Sequence, residues 1–208
     1  MGRIARDRPK RAAVTAVFAS RNEGKLRELR ALLPDWEIEP IGDVEMPEET
    51  GATFYENAAA KARFAQRIEP GRWTIGEDSG LEVDWLGGVP GIRSARYAGE
   101  DASDEQNVAK LLEALAGAER EDRGARYVSE LVVLTPDGQE LRGTGTLEGE
   151  IATEQKGSEG FGYDPVFVPT GESRTVADLG NEWKRAHSHR AAATRALAAG
   201  VGEAPGEM

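Results

Sequence analysis

Two carboxylates stand side by side inside an otherwise apolar, β-branched stretch, Trp73-Thr74-Ile75-Gly76-Glu77-Asp78-Ser79-Gly80-Leu81-Glu82-Val83-Asp84. The run Trp73–Ile75 and the alternating segment Leu81–Asp84 each read as strand, with Gly76–Gly80 as an acidic turn between them. Neighbouring carboxylates repel, so a fold that brings this stretch inside must set a cation or basic side chains beside it. Oxygen ligands at a strand end suit Mg²⁺, which takes one or two carboxylates together with phosphate oxygens. A plain polar turn fits the same five residues, and the choice rests on the rest of the chain.

The chain has 208 residues, room for one ordinary domain or two small lobes, and a formal net charge of −11. That balance argues against broad binding to nucleic acid or anionic membranes, though not against a local basic pocket for a phosphate. There is no cysteine, which excludes disulfides, thiolate metal sites and a cysteine nucleophile and fits a cytoplasmic protein. No apolar run approaches the ~18 residues a membrane span needs. Residues 1–12 are basic without an apolar stretch, and residues 200–208 are rich in Gly, Pro and Glu; both are expected to be disordered tails.

Val14–Ala19 reads as a buried strand, Ser20-Arg21-Asn22-Glu23-Gly24-Lys25 as a polar turn, and Leu26, Leu29, Leu32 and Leu33 as a helix that stops before Pro34. Ser20 with Glu23 fits a capping box. Helix N-termini bind phosphate through free N–H groups, and Lys25 in a first turn fits either an anion held between it and those amides or a plain capped helix with a solvated lysine. A second strand is expected over Trp36–Ile41, then an acidic loop. An Ala-rich helix follows, with Thr53 as its N-cap. Glu56 has two readings there, as the closing member of a capping box or as a metal ligand. Lys61 lies five residues on, about 140° around a helix, so it does not pair with Glu56 on one face.

Gly87–Gly99 reads as an ordered, irregular loop in which Arg93 and Arg96 either meet a ligand or pair with acids. Ser103–Ala116 is an amphipathic helix. Tyr127–Leu134 and Gln139–Ile151 form a hairpin, assigned to a separate lobe or a dimer surface. Glycines flank Phe161 in Gly160-Phe161-Gly162-Tyr163-Asp164, so backbone can approach a flat ligand and Phe161 can stack on a base, as an alternative to burial in a loop. Ser188 caps a last helix beside Lys184, His189 and Arg190. No G-x-x-x-x-G-K-[ST] or G-x-G-x-x-G is present.

The ordered set S-R-N-E-G-K (20–25), T-F-Y-E-N-A-A-A-K-A (53–62), E-D-S-G-L-E-V (77–83), G-G-V-P-G-I-R-S-A-R-Y-A-G (87–99), G-F-G-Y-D-P-V-F (160–167) and K-R-A-H-S-H-R (184–190) resembles the inosine/xanthosine triphosphate pyrophosphatases, the Ham1-like enzymes. The resemblance implies an α/β fold: a long central mixed β-sheet with flanking helices and two lobes around a nucleotide cleft, in one catalytic domain over residues 13–199. It implies Mg²⁺-dependent hydrolysis of ITP, dITP and XTP to the monophosphate and pyrophosphate by a homodimer. Carried over by motif, Ser20, Arg21, Asn22, Glu23, Gly24 and Lys25 hold the triphosphate. Glu56 and Asp78 bind Mg²⁺, Asp78 is also the general base, and Ser79 touches substrate. Phe161, Gly162, Tyr163, Asp164, Lys184, His189 and Arg190 line the nucleotide pocket. Two positions depart from the family pattern: Ser20-Arg21-Asn22 replaces Thr-Gly-Asn, and Glu77-Asp78 replaces Asp-Asp, which leaves Glu77 as a supporting acid. A Maf-like pyrophosphatase lacks the Ser188-His189-Arg190 helix start, and a non-catalytic nucleotide binder needs no acid pair beside a metal.

Overall fold

The computed structural model describes residues 14–202; the tail expected at 1–12, and residues 203–208 of the one expected at 200–208, lie outside the described residues. Helix α5 (His189–Gly202) carries the chain past residue 200, where a tail was expected. Six strands form one mixed sheet in the order β2-β1-β3-β4-β5-β6. Strands β1 (Val14–Phe18), β2 (Trp36–Pro40) and β3 (Trp73–Val83) run parallel. Strands β4 (Gly124–Leu134), β5 (Glu140–Ile151) and β6 (Phe167–Pro169) continue the sheet antiparallel.

Strand β3 is unbroken. The acidic turn expected at Gly76–Gly80 is absent, because every residue from Thr74 to Val83 is in register with β4. The two glycines that read as turn punctuation serve close packing instead. A Cβ on Gly76 would lie 2.0 Å from Ala58 O and 2.6 Å from Ala62 N in helix α2 (Phe54–Ile68). The Ala-rich face of α2 (Ala58, Ala59, Ala62, Ala65) can therefore press directly onto the strand. On the opposite face α5 does the same over β5. A Cβ on Gly143 would meet Ala193 O at 2.1 Å, and one on Gly145 would meet His189 O at 2.1 Å. The β4–β5 hairpin thus lies in the middle of the sheet, not in a lobe of its own.

The two largest of the four apolar clusters among the described residues share this sheet. One packs Phe18, Leu29, Ile75, Leu131 and Leu197 under helix α1 (Glu23–Leu32) and α5. The other packs Leu81, Leu111, Leu115, Tyr127 and Phe167 under helix α3 (Asp104–Ala114). Helix α4 (Val176–His187) bends at Gly180, whose φ is 85°. The Gly87–Gly99 segment is ordered by a 3₁₀ turn at Gly91–Arg96. No helix among the described residues is long and apolar enough to cross a membrane.

Gly145→Ala is expected to force α5 off the sheet and cost about 1–3 kcal/mol, a fall of roughly 2–4 °C in melting temperature per kcal/mol for a chain of this size. Gly42, with open space around it, is the control: Gly42→Ala should stay within about 0.5 kcal/mol. Thermal unfolding of the two variants checks both.

Candidate active site

The site forms where β1 stops and β3 does not. The last β1–β3 pair is Phe18 with Ile75. From Gly76 to Gly80 β3 has β4 on one side and no strand on the other, before Leu81 N donates to Ser94 Oγ and Glu82 bridges to Pro90. The crevice beyond the carboxyl ends of parallel strands is the usual place for a ligand in an α/β sheet. A cavity of about 220 Å³ opens there, walled by β3, α2, the starts of α1 and α5, and the segment around Phe161.

Alternation along β3 sends its two acids to opposite faces. Glu77 turns toward α5 and α1 and is 1% exposed. Its Oε1 accepts from Arg190 Nη2 (2.9 Å) and Ser129 Oγ (3.1 Å), and its Oε2 lies 2.8 Å from Lys25 Nζ. Burial alone would raise the Glu77 carboxyl; the charges of Arg190 and Lys25 outweigh it and hold the group far below the ordinary carboxylate range. The anion that explains Lys25 in a helix first turn is Glu77. Asp78 turns toward α2, where Asn57 Nδ2 donates to Oδ2 (3.1 Å) and Lys61 Nζ to Oδ1 (3.1 Å). Burial pushes the Asp78 carboxyl up, and Lys61 and Lys25 only partly offset it. Adjacent carboxylates are thereby displaced in opposite directions.

The α1 turn is capped by Asn22, not Ser20: Asn22 Oδ1 accepts from Lys25 N at 2.9 Å, while Ser20 Oγ accepts from Asn22 N at 3.1 Å. Ser20, Asn22 and Lys25 line the cavity. Arg21, Glu23 and Gly24 do not. Arg21 points outward to Asp43 and Val44 O, and Gly24 is the floor on which the Phe161 ring rests, 2.8 Å from where a Cβ would be. Lys184 Nζ lies 4.5 Å from the centroid of that ring. Gly162, Tyr163 and Asp164 line the cavity with Phe161. Asp164 fixes the loop, accepting from Phe161 N (2.8 Å) and from Lys184 Nζ (2.7 Å).

Ser188 caps α5 through Ala191 N, as expected, and presents His189 and Arg190 at the helix start. His189 stacks on Tyr127 with ring centroids 4.6 Å apart. Burial, and then the charge of Arg190, push the imidazole well below its ordinary value, so it is neutral. Its buried Nδ1 has no hydrogen-bond partner among the described residues. Glu28, on α1, clasps both Lys184 and Arg190 from behind. Ser79 Oγ accepts from Arg190 Nη2 at 3.1 Å.

The expected pairing of Glu56 with Asp78 is not what the geometry provides. Glu56 Oε2 accepts from Ala52 N at 2.6 Å, closing the start of α2, and Glu56 is not among the residues lining the cavity. The acid beside Asp78 is Glu49, from the acidic loop before α2; it shares the Lys61 ammonium with Asp78 and accepts from Arg96 Nη1 at 2.9 Å. Burial would raise Glu49, but Lys61 outweighs it and holds the carboxyl down. Glu49, Lys61 and Asn57 escaped the sequence reading as site residues. Asn57 and Lys61, four apart, share a helix face, a spacing that was legible; Glu49 lies in an aperiodic loop and left no local sign. Among the described residues no three His, Cys, Asp or Glu side chains gather as a metal cage. Glu49 and Asp78 do fit an ion that completes its shell with phosphate and water, as Mg²⁺ does: both are hard oxygen donors, and they already share one cation.

Removing the acid from the Lys25–Glu77–Arg190 cluster strands buried cations, so Glu77→Gln should cost about 3–5 kcal/mol. Because the folded-state pKa of Glu77 is depressed, its stabilisation is full above the unfolded value of about 4.3 and is lost as pH falls below it. Melting temperature measured from pH 6 to pH 3 should therefore drop more steeply for the parent than for Glu77→Gln.

The chain matches the Ham1 family over residues 16–200. It is 44% identical over 187 residues to a dITP/XTP pyrophosphatase of Bdellovibrio bacteriovorus, covering 86% of this chain and 94% of that protein. It is 48% identical over 188 residues to the dITP/XTP pyrophosphatase of Methylococcus capsulatus, covering 88% and 93%. The Ham1 protein of Staphylococcus aureus superposes with a TM-score of 0.80 at 41% identity, over 90% of this chain and 98% of that one. Agreement of this extent, in sequence and in three dimensions alike, means that this chain belongs to the Ham1 family.

Proposed function

We propose that this protein hydrolyses non-standard purine nucleoside triphosphates (dITP, ITP and XTP) to the monophosphate and pyrophosphate, cleansing the nucleotide pool, with Asp78 as general base and Mg²⁺ as cofactor. What supports the reading most is the state of Asp78. It is a buried carboxylate with a raised pKa, facing a cleft that also holds the ammonium groups of Lys25, Lys61 and Lys184. A carboxylate made more basic by burial, and cations around a polyanion, are what phosphoanhydride hydrolysis draws on.

In this reading Asp78 takes a proton from water as the water oxygen bonds to the α-phosphorus. The bond from the α-phosphorus to the bridging oxygen breaks, and pyrophosphate leaves with that oxygen and its electron pair. Lys25 and Lys61 offset the charge that collects on the leaving group. Glu49 and Asp78 are the residues that would hold Mg²⁺. Once bound, the ion would polarise phosphoryl oxygens and neutralise charge. Phe161, which lines the cavity beside Lys184, offers an aromatic surface for the base. Arg190 and the neutral imidazole of His189 supply polar groups for a 6-oxo purine. An adenine 6-amino group would leave such donors unpaired, and a site built on hydrogen bonds rejects that strongly. Following the family resemblance, the reading includes a homodimer and a cytoplasmic location.

A panel of dITP, ITP, XTP, GTP and ATP with Mg²⁺ tests the proposal. Pyrophosphate release should be fastest from the first three. Orthophosphate as the first product, or binding without any release, would overturn it. Asp78→Asn should fold normally and lose about 10²–10⁴-fold in kcat; a rate near that of the parent would remove Asp78 as the base.

A further inference from the structure

Asn57 is 2% exposed, and both ends of its amide are used. Its Nδ2 donates to Asp78 Oδ2 at 3.1 Å, and its Oδ1 accepts from Gly51 N at 2.8 Å. Gly51 lies two residues beyond Glu49, in the loop between Pro40 and Phe54, which contains no helix or strand. The carboxylate of Asp78 is thus held from the same face of α2 at both oxygens, by Asn57 on one and by Lys61, one turn on, at the other. Lys61 joins Asp78 to the Glu49 side chain by charge, and the Asn57 amide joins Asp78 to the backbone of the Glu49 loop.

We propose that Asn57 is a positioning residue for the hydrolysis, a single amide that sets the Glu49-bearing loop in register with Asp78. The proposal rests on the reading of Asp78 and Glu49 given above and adds a residue that touches no substrate. The chemistry is specific to an amide, which offers a donor and an acceptor from one rigid plane. A carboxylate of the same shape keeps the acceptor for Gly51 N and lacks the donor for Asp78. An aliphatic side chain keeps neither. A one-ångström misplacement of catalytic groups has large kinetic consequences even when binding is intact.

Asn57→Asp and Asn57→Leu, made in the full chain, separate the two arms. With dITP and Mg²⁺, both variants should lose about 10–100-fold in kcat, the usual cost of removing an outer partner of a metal-binding acid, while KM changes by less than about three-fold. Hydrogen exchange at the Gly51 amide should speed up in Asn57→Leu and stay slow in Asn57→Asp. That contrast does not require the enzyme to be turning over. If Asn57→Asp keeps kcat within about two-fold of the parent, the donor to Asp78 has no positioning role. If Gly51 exchange is unchanged in Asn57→Leu, the loop is not held by the amide. Either result overturns the proposal. A parent protein that releases no pyrophosphate from any nucleotide would instead sink the functional reading, and the exchange contrast would still report on the amide.

Discussion

The molecule depends on a mismatch of strand lengths. Strand β1 ends at Phe18, and β3, its parallel neighbour, runs on to Val83 with β4 as its one strand partner, its far end met on the other edge by a single bridge from Glu82 to Pro90. The antiparallel ladder keeps that overhang straight and stiff. The lost neighbour leaves an open edge, where the starts of α1 and α5 and one flank of α2 can converge. Because successive residues on a strand point to opposite faces, the overhang presents one acid to each set of helices. Glu77 is consumed by Arg190 and Lys25 as a structural counter-ion. Asp78 is held more loosely, by one ammonium and one amide, and it retains the raised basicity that burial confers.

That geometry needs backbones to come unusually close. Gly76 lets α2 lie on β3, and Gly143 and Gly145 let α5 lie on β5. A methyl group at these positions would lift the helices that carry Asn57 and Lys61 on one face, and His189 and Arg190 on the other. The glycines and the chemistry are therefore parts of one arrangement. Polar groups reach the strand because no side chain stands between strand and helix.

A chain of net charge −11 that nonetheless gathers Lys25, Lys61, Lys184 and Arg190 at one edge has an uneven field. The net charge repels polyanions at large, while these cations are gathered at the cleft, each held by an acid of the same cluster. Buried ion pairs such as Lys184–Asp164 and Arg190–Glu77 stabilise little after desolvation is counted. Their effect is to orient: Asp164 and Glu28 fix Lys184 over Phe161, and Glu28 and Glu77 fix Arg190 at the start of α5.

The chain's own periodicities determined its parts. The apolar run of β1, the Thr53 and Ser188 caps, the Ala face of α2, and the acids beside a hydroxyl at Glu77–Ser79 were all legible, because each is set by neighbours within a turn or two. Their ordered motifs were enough to point to the family. Tertiary structure alone decided that Gly76–Gly80 is strand rather than turn, since only the ladder to β4 outweighs the local preference of glycine and paired acids for a bend. It also decided that Glu49, not Glu56, stands beside Asp78. Glu56 is claimed by the backbone N–H of Ala52, just before its own helix. Glu49 reaches the cleft through Lys61 and Arg96, partners distant in sequence, and ion pairs across such distances leave no periodic trace in the chain.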